Sequence, residues 1–344
     1  MCAFSNEILL KQRQQLRELA QGFRQSQILL TCVELGIFEV LNEGPAAASE
    51  VAKRLGAQPR GVELLLNAAV ALDLIKKSEN QFSNIPLVAD CLLPEGEGTM
   101  LRSFQLQAAF YQRWGYLAEA VRTGKRPEEN QRDEEPDSWI ENFVHGLYTM
   151  AKPIAPAIAE SLVLPENRPL RVIDVGGCHG AYSMALAHRY PRLRATVFEL
   201  PRVVPVARRV ITEAGMAGRV TVQEGDFQKG GLGQGYDLAL VFGVLNGEPP
   251  ESRPALIRKV FAALKPGGQI VLRDFVLDPD RAGPPDAAIF ALQMLLATES
   301  GGLDTRADWG RWLTEAGFLL PQEIELPAWV GSSLTVARKP GMGE

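Results

Sequence analysis

The chain is short of several things. It has four cysteines, Cys2, Cys32, Cys91 and Cys178, and no two form a C-x-x-C pair. Scattered thiols of this kind give no zinc or redox motif and fit a reducing compartment. Histidine is rarer still, with three in 344 residues. No run of about 18 apolar residues occurs, so no transmembrane helix is expected. The opening "MCAFSNEILLKQRQQLRELAQGF" carries charge throughout and lacks an apolar core followed by a small-residue cleavage site, so it does not read as a signal peptide. Positive charge is not in surplus either. There are 36 Lys and Arg against 41 Asp and Glu, a net charge of −5, which leaves no global signature for nucleic acid or anionic lipid. Together these absences predict a cytoplasmic protein with neither a membrane nor a nucleic acid as partner.

What is present fits an ordinary globular chain: 46% hydrophobic residues and a mean hydropathy of −0.05. At roughly 100–200 residues per domain, the length predicts two domains. Residues 1–100 read as helices followed by one hairpin. "QILLTCVELGIFEVL" repeats apolar residues at spacings of three and four, interrupted at Gly36. Ser49 is the expected cap of a short helix ending at Gly56, and Pro59 opens a longer one. "LIKKSENQFSNIP" alternates around a "SEN" turn, as a β-wing does. Helices plus a wing predict a winged-helix arrangement. A DNA-binding role fits poorly. The segment has nine Lys and Arg against twelve Asp and Glu, and its last helix offers Arg60, Glu63 and Asn67 on a mostly apolar surface. Such a helix suits packing or dimerisation better than a phosphate backbone.

Residues 101–165 read as two aromatic-rich linking helices, "SFQLQAAFYQRWGYLAEAV" and "SWIENFVHGLYTMAKPIAPAIAESL", around a charged surface loop, "RTGKRPEENQRDEEPD". Residues 166–344 alternate strand and helix, which predicts a doubly wound α/β fold with a parallel sheet.

In such sheets ligands sit at the carboxyl ends of the strands. The first strand–helix turn reads "RVIDVGGCHG". A dinucleotide fingerprint requires glycines at 176, 178 and 181. The chain has Gly176, Cys178 and Ala181 there, so the match fails. Gly176, Gly177 and Gly180 still allow backbone to approach a ligand closely. Asp174 before them would repel a pyrophosphate and suits a cationic group. Glu199 ends the next strand, where a carboxylate can bind two ribose hydroxyls. Asp226 follows the third strand beside Phe227, an acceptor plus an aromatic face that suits adenine. Ribose, adenine and an ammonium group without phosphates describe S-adenosylmethionine. Cys178 and His179 have no partner at metal-ligand spacing, so no metal is expected.

The segments "VIDVGGCHG", "VFELP", "EGDF", "LKPGGQIVLRDFVLDP" and "TEAGF", with "ELGIFEVL…ASEVAKRLG" near the amino terminus, resemble the class I methyltransferases. Within these, the chain is similar over nearly its whole length to the two-domain small-molecule O-methyltransferases, which include caffeate, hydroxyindole and polyketide-tailoring enzymes. The resemblance implies a Rossmann-like methyltransferase sheet behind an amino-terminal winged-helix dimerisation domain. It also implies a homodimer and a small, aromatic substrate. Asp174, Gly176, Gly177, Glu199, Leu200, Asp226, Phe227 and Phe242 are the cofactor positions, Phe242 standing where many plant relatives carry a lysine.

The chain departs from the family where a His-Asp-Trp motif normally follows the fourth strand. "VFGVLNGEPPE" puts Asn246, Gly247 and Glu248 there. An amide accepts no proton usefully, so the usual base is missing. Asp274 matches the family's supporting carboxylate, whereas Leu303 replaces a second one, with Asp304 next to it. The catalytic candidates are therefore Asn246 and Asp274. Three explanations stay open: a substrate acidic enough to ionise unaided, a carbon, nitrogen or sulfur acceptor with another group taking the proton, or a cofactor-binding protein with non-methylating chemistry. O-methylation is the family default. Leu147 and Met150 match the family's substrate contacts on the linking helix, and Phe110, Trp114, Phe290 and Met294 are further candidates for a flat apolar pocket. Phe104 and Phe143 could line the same pocket, although for most of these six residues taken singly ordinary core at helical spacing is the simpler reading. His145 lies roughly opposite Leu147, and His188 reads as a surface residue.

Overall fold

The computed structural model describes residues 6–96, 98–128, 137–331 and 333–343, and the chain divides into two compact units, Met1–Ala109 and Phe110–Glu344. The first unit carries α1 (Asn6–Gln21), α2 (Phe23–Leu35), α3 (Ile37–Asn42), α4 (Ala48–Leu55), α5 (Pro59–Ala71), the hairpin β1 (Ile75–Ser78) and β2 (Gln81–Asn84), and α6 (Pro86–Cys91). Gly36 closes α2 in the left-handed conformation, as glycine does at a helix end. Ser49 does not cap α4. The cap position is Ala47 and makes no side-chain bond. Val62, Leu66 and Ala69 turn one stripe of α5 into a core shared with Phe38, Val51 and Phe82. Phe104 packs against this same core. Leu9, Leu10, Leu16 and Leu19 of α1 stay exposed.

α7 (Leu101–Trp114) crosses the boundary between the units. α8 (Leu117–Thr123), α9 (Asp137–Ala151) and α10 (Ala155–Ser161) follow. The two long helices expected here are thus four. Gly115 and Tyr116 separate α7 from α8, and Pro153, which removes a helical donor, lies between α9 and α10. Residues 129–136 of the charged loop lie outside the described residues.

The second unit then alternates β3 (Leu170–Val175), α11 (Ala181–Arg189), β4 (Leu193–Glu199), α12 (Val204–Glu213), β5 (Val220–Glu224), β6 (Tyr236–Phe242), α13 (Arg253–Ala263) and β7 (Leu264–Arg273). Short β8 (Val276–Leu277), α14 (Pro285–Ala297), β9 (Asp304–Thr305), α15 (Arg306–Glu315), β10 (Gln322–Glu325) and β11 (Ser333–Arg338) complete it. Seven strands form one sheet in the order β5-β4-β3-β6-β7-β11-β10. The first five are parallel, and β11 and β10 are antiparallel to their neighbours. Alternate residues serve opposite faces. Val172, Leu238 and Leu240 pack with Met184, Val206 and Val210 on one side. Ile173, Ala239 and Val241 pack with Ile257, Val260 and Trp309 on the other. Burial on both faces explains why "YDLALVF" reads as a continuous apolar run. The strand order reverses beside β3, and the crevice beyond the carboxyl ends at such a switch is where ligands bind.

Candidate functional site

Asp174 is fully buried near the end of β3. Ser183 of α11 donates to its Oδ2 at 2.7 Å, while Oδ1 is buried with no hydrogen-bond partner. Burial pushes this carboxyl up to about 7, with the Glu199 charge adding to the rise and the Ser183 bond opposing it. The glycines lie directly on it. A Cβ on Gly177 would stand 2.4 Å from Asp174 Cγ, and one on Gly176, which has φ +63°, would stand 2.7 Å from Val244 Cγ2. The loop is therefore glycine because the Val244 side chain and a buried carboxylate occupy the space a side chain needs. His179 is buried beside it and its Nδ1 accepts from the Ala181 amide at 3.1 Å. Burial lowers this imidazole to about 3, so it is neutral near pH 7 and is no general base.

Glu199 ends β4, one strand over. Its Oε1 accepts from the Cys178 amide at 3.2 Å and its Oε2 from the Leu200 amide at 2.6 Å. Each carboxylate oxygen offers about two lone-pair directions, so each keeps one for a further donor. Burial pushes Glu199 up to about 7. Leu200 is exposed. Asp226 follows β5 and is held by the Gln228 amide at 2.8 Å and by Lys229 at 3.1 Å. Phe227 packs against the core under the sheet. Lys259 of α13 reaches up to this turn and donates to the carbonyls of Phe227, Gln228 and Gly230. Sequence reading missed Lys259 because nothing local marks a lysine that closes on carbonyls some thirty residues away. Phe242, at the end of β6, meets the Tyr182 ring edge-on at 4.9 Å.

Asn246 lies in a 3₁₀ turn after β6 and is buried. Its Nδ2 donates to Asp274 Oδ1 at 2.7 Å, and its backbone amide lies 3.4 Å from Asp274 Oδ2. The Phe275 amide also donates to Asp274 at 2.8 Å. These bonds favour the ionised carboxylate, but burial outweighs them and raises it to about 7. With one Nδ2 hydrogen committed to Asp274, Asn246 keeps its second Nδ2 hydrogen as a donor and Oδ1 as an acceptor. Asp304 serves elsewhere: it forms a buried ion pair with Arg253, whose Nε also donates to the Glu248 carbonyl at 2.9 Å. Leu303 joins Leu277, Ala287, Met294 and Phe290 in an apolar cluster.

Phe290 meets Phe275 with ring centroids 4.3 Å apart and the planes tilted by 30°. Trp114 Nε1 donates to Gln293 Oε1 at 2.6 Å. Gln293 is 7% exposed and its Nε2 has no partner. Sequence reading passed it over because it stands beside Met294 on a helix that is otherwise apolar. Phe110 and Leu147 are half-buried, whereas Met150 is 47% exposed. Phe143 stacks on Trp139 at 4.9 Å, which makes it core. His145 is half-buried and His188 exposed. Among the described residues no group of three or more His, Cys, Asp and Glu could hold a metal, and no helix is long and apolar enough to cross a membrane.

Residues 135–319 match the O-methyltransferase domain family, and residues 17–95 match the O-methyltransferase dimerisation domain. The chain is 33% identical to a 3-hydroxy-5-methyl-1-naphthoate 3-O-methyltransferase of Streptomyces sahachiroi, over 88% of each chain. It is 34% identical to the acetylserotonin O-methyltransferase of Bos taurus, covering 88% of this chain and 91% of that one. Among solved structures, human N-acetylserotonin methyltransferase in complex with S-adenosylmethionine superposes with a TM-score of 0.84 at 27% identity, covering 99% of this chain and 100% of that one. The chain belongs to the S-adenosylmethionine-dependent O-methyltransferases of small molecules, with the family's catalytic and dimerisation domains both present.

Proposed function

We propose that the chain methylates an acidic hydroxyl on a small, flat aromatic molecule, with Asn246 orienting that hydroxyl where relatives of this family carry an imidazole base. The observation that carries this reading is the Asn246–Asp274 hydrogen bond, which fixes the amide: its second Nδ2 hydrogen can meet an ionised oxygen and its Oδ1 a protonated one. Asp174 under Gly176 and Gly177 takes the cationic end of the cofactor, for which the partnerless Asp174 oxygen is the support. Glu199 and Leu200 take the ribose, and Asp226 and Phe227 take the adenine. Phe242 flanks the cofactor, and Lys259 holds the adenine turn by its carbonyls. When bound, the cofactor supplies a methyl group already activated by its sulfonium. Phe110, Trp114, Leu147, Met150, Phe290 and Met294 line the substrate space. An aromatic hydroxyl acidified by conjugation needs no base, so the task left to the protein is orientation and exclusion of water. The names of the naphthoate and acetylserotonin relatives, both aromatic hydroxyl methylators, support this class.

The test is Asn246→His. A positioned general base is worth about 10²–10⁴-fold. On a weakly acidic phenol, kcat/KM is expected to rise by about 10²-fold with a new limb in the pH profile near the ordinary histidine value, about 6.5. On a hydroxyl ionised at the assay pH it is expected to change little. Product masses from a panel of phenols, catechols and thiols report the acceptor atom, and no rise on any weakly acidic phenol in the variant would defeat the reading of a hydroxyl site that lacks only a base.

Gln293 gives a second handle. Its partnerless amide suits a carbonyl or carboxylate oxygen on the same ring. Losing a buried hydrogen bond costs about 1–3 kcal/mol, so Gln293→Met is expected to raise KM roughly 5- to 150-fold for a substrate bearing such an oxygen. A substrate lacking it should show no matching change. Equal effects on both substrates in steady-state kinetics would remove Gln293 from the contact set.

We also propose a cytoplasmic homodimer assembled through a winged-helix-like amino-terminal domain. The exposed leucines of α1 and the match to a dimerisation domain support it.

A further inference from the structure

The carboxyl ends of the strands account for the site above. The opposite edge carries a second concentration of charge. Arg171 near the start of β3 and Arg194 near the start of β4 are register partners on adjacent parallel strands. Arg219 immediately precedes β5, whose Val220 pairs with Ala195. Three guanidinium groups therefore begin three neighbouring strands. Like charges held opposite one another in a sheet are destabilising, so such a row calls for counter-charge.

Each group spends part of its donor set on main chain. Arg171 Nη1 lies 3.3 Å from the Gln234 carbonyl, and its guanidinium lies over the Tyr236 ring at 4.9 Å. Arg194 Nη1 donates to the Gly218 carbonyl at 2.7 Å. Arg219 Nη1 donates to the Ala187 carbonyl and lies 3.4 Å from that of Pro191. These contacts fix the side chains without neutralising them. Among the described residues the acid of this row is Asp237, which accepts from the Arg171 amide at 2.8 Å and is taken up by Arg168 and Lys265 at 2.6 and 2.9 Å. A guanidinium has five donors, so each of the three arginines keeps several.

A cavity of about 220 Å³ opens between these residues, with Val172, Ala195, Thr196, Thr221 and Tyr236 completing its lining. At roughly 30 Å³ per water, it has room for a tetrahedral oxyanion and several waters. Planar guanidinium forks match phosphate and carboxylate oxygens better than any other cationic side chain.

We infer that the amino edge of the sheet is an oxyanion site, held by Arg171, Arg194 and Arg219, that takes a phosphate group either free or carried on an organic ester. It lies across the sheet from the methyl-transfer site, and it does not depend on the substrate reading proposed above.

Isothermal titration of the full chain with inorganic phosphate, against sodium chloride at matched ionic strength, tests this. Saturable binding of one phosphate per chain is expected. Arg194→Gln, which can still bond the Gly218 carbonyl through its amide, is expected to weaken binding at least tenfold. S-adenosylmethionine affinity in that variant should stay within twofold, which also reports that the chain is folded. Phenyl phosphate distinguishes the sources: tighter binding than inorganic phosphate assigns an ester, and equal binding assigns the free ion. Heats no larger than those of chloride, or phosphate binding undiminished in both Arg194→Gln and Arg219→Gln, would overturn the site.

Discussion

Gly177→Ala is expected to abolish measurable S-adenosylmethionine binding in a chain that still folds. The added Cβ would lie 2.4 Å from Asp174 Cγ and 2.7 Å from both of its oxygens. Asp174 cannot yield, because it is enclosed on every side and tied to Ser183. The loop must move instead, carrying with it the Cys178 amide that bonds Glu199. One methyl group thereby displaces both acidic contacts at once. Overpacking of this kind costs about 1–3 kcal/mol, a fall of roughly 2–4 °C in Tm for each kcal/mol in a unit of this size. Calorimetry and thermal unfolding read the two effects separately. Gly215→Ala serves as the comparison. Its backbone has a left-handed φ of +69°, which Gly177 lacks, and nothing lies within 4 Å of its Cβ, so it should lose stability by about 1–2 kcal/mol while keeping cofactor affinity. Equal affinities in the two variants would show that the glycine loop is not the cofactor cradle.

Glu199→Ala is expected to weaken S-adenosylmethionine binding by about two orders of magnitude. Hydrogen bonds to a charged group contribute about 1.5–3 kcal/mol each, and each 1.4 kcal/mol is about tenfold. Two ribose hydroxyls thus reach that figure before the loosened Cys178 and Leu200 amides are considered. The same carboxylate predicts a pH dependence. Burial raises Asp174 and Glu199 from ordinary values of 3.8 and 4.5 to about 7. Between those limits the folded chain keeps protons that the unfolded chain has released. Stability of the ligand-free protein is therefore greatest at the acid end of the window and falls as pH rises through about 7. Cofactor affinity runs the other way, because the ionised carboxylates are the ones that hold a cation and accept hydroxyl bonds. Crossed trends in melting and titration between pH 5 and 8, with the affinity trend flattened in Glu199→Ala, are the expected result; parallel trends would contradict it.

The acids of this edge were legible because each follows an alternating or continuous apolar run, so strand end and carboxylate are read together. Asp174 and Glu199 end neighbouring strands, Asp174 standing in register with Val197, two residues before Glu199. Asp226 was equally visible, yet its carboxylate is largely engaged by its own turn. The helix breaks at Gly115 and Pro153 were locally marked, but the longer apolar spacing masked them. What stayed out of reach were partnerships between distant residues. Trp114 and Gln293 stand 179 positions apart, and Arg253 and Asp304 stand 51 apart. No periodicity encodes such a pair, because it exists only once the sheet has brought its helices together. The "CH" of the glycine loop was conspicuous in sequence and is chemically quiet in the fold. His179 is uncharged near neutrality, and burial together with the neighbouring acids raises the Cys178 thiol well above its usual range.

The carboxyl edge gathers Asp174, Glu199 and Asp274 at the ends of three strands of one seven-stranded sheet, the first buried and the other two half-buried, and all inclined to hold a proton. Left empty, that edge is a standing source of instability. Filled, it is coupled to every strand of the sheet, since a ligand at 100 times its Kd adds about 2.7 kcal/mol to the folded state. Stability is then expected to follow the supply of the methyl donor, so thermal unfolding should shift upward as donor concentration rises.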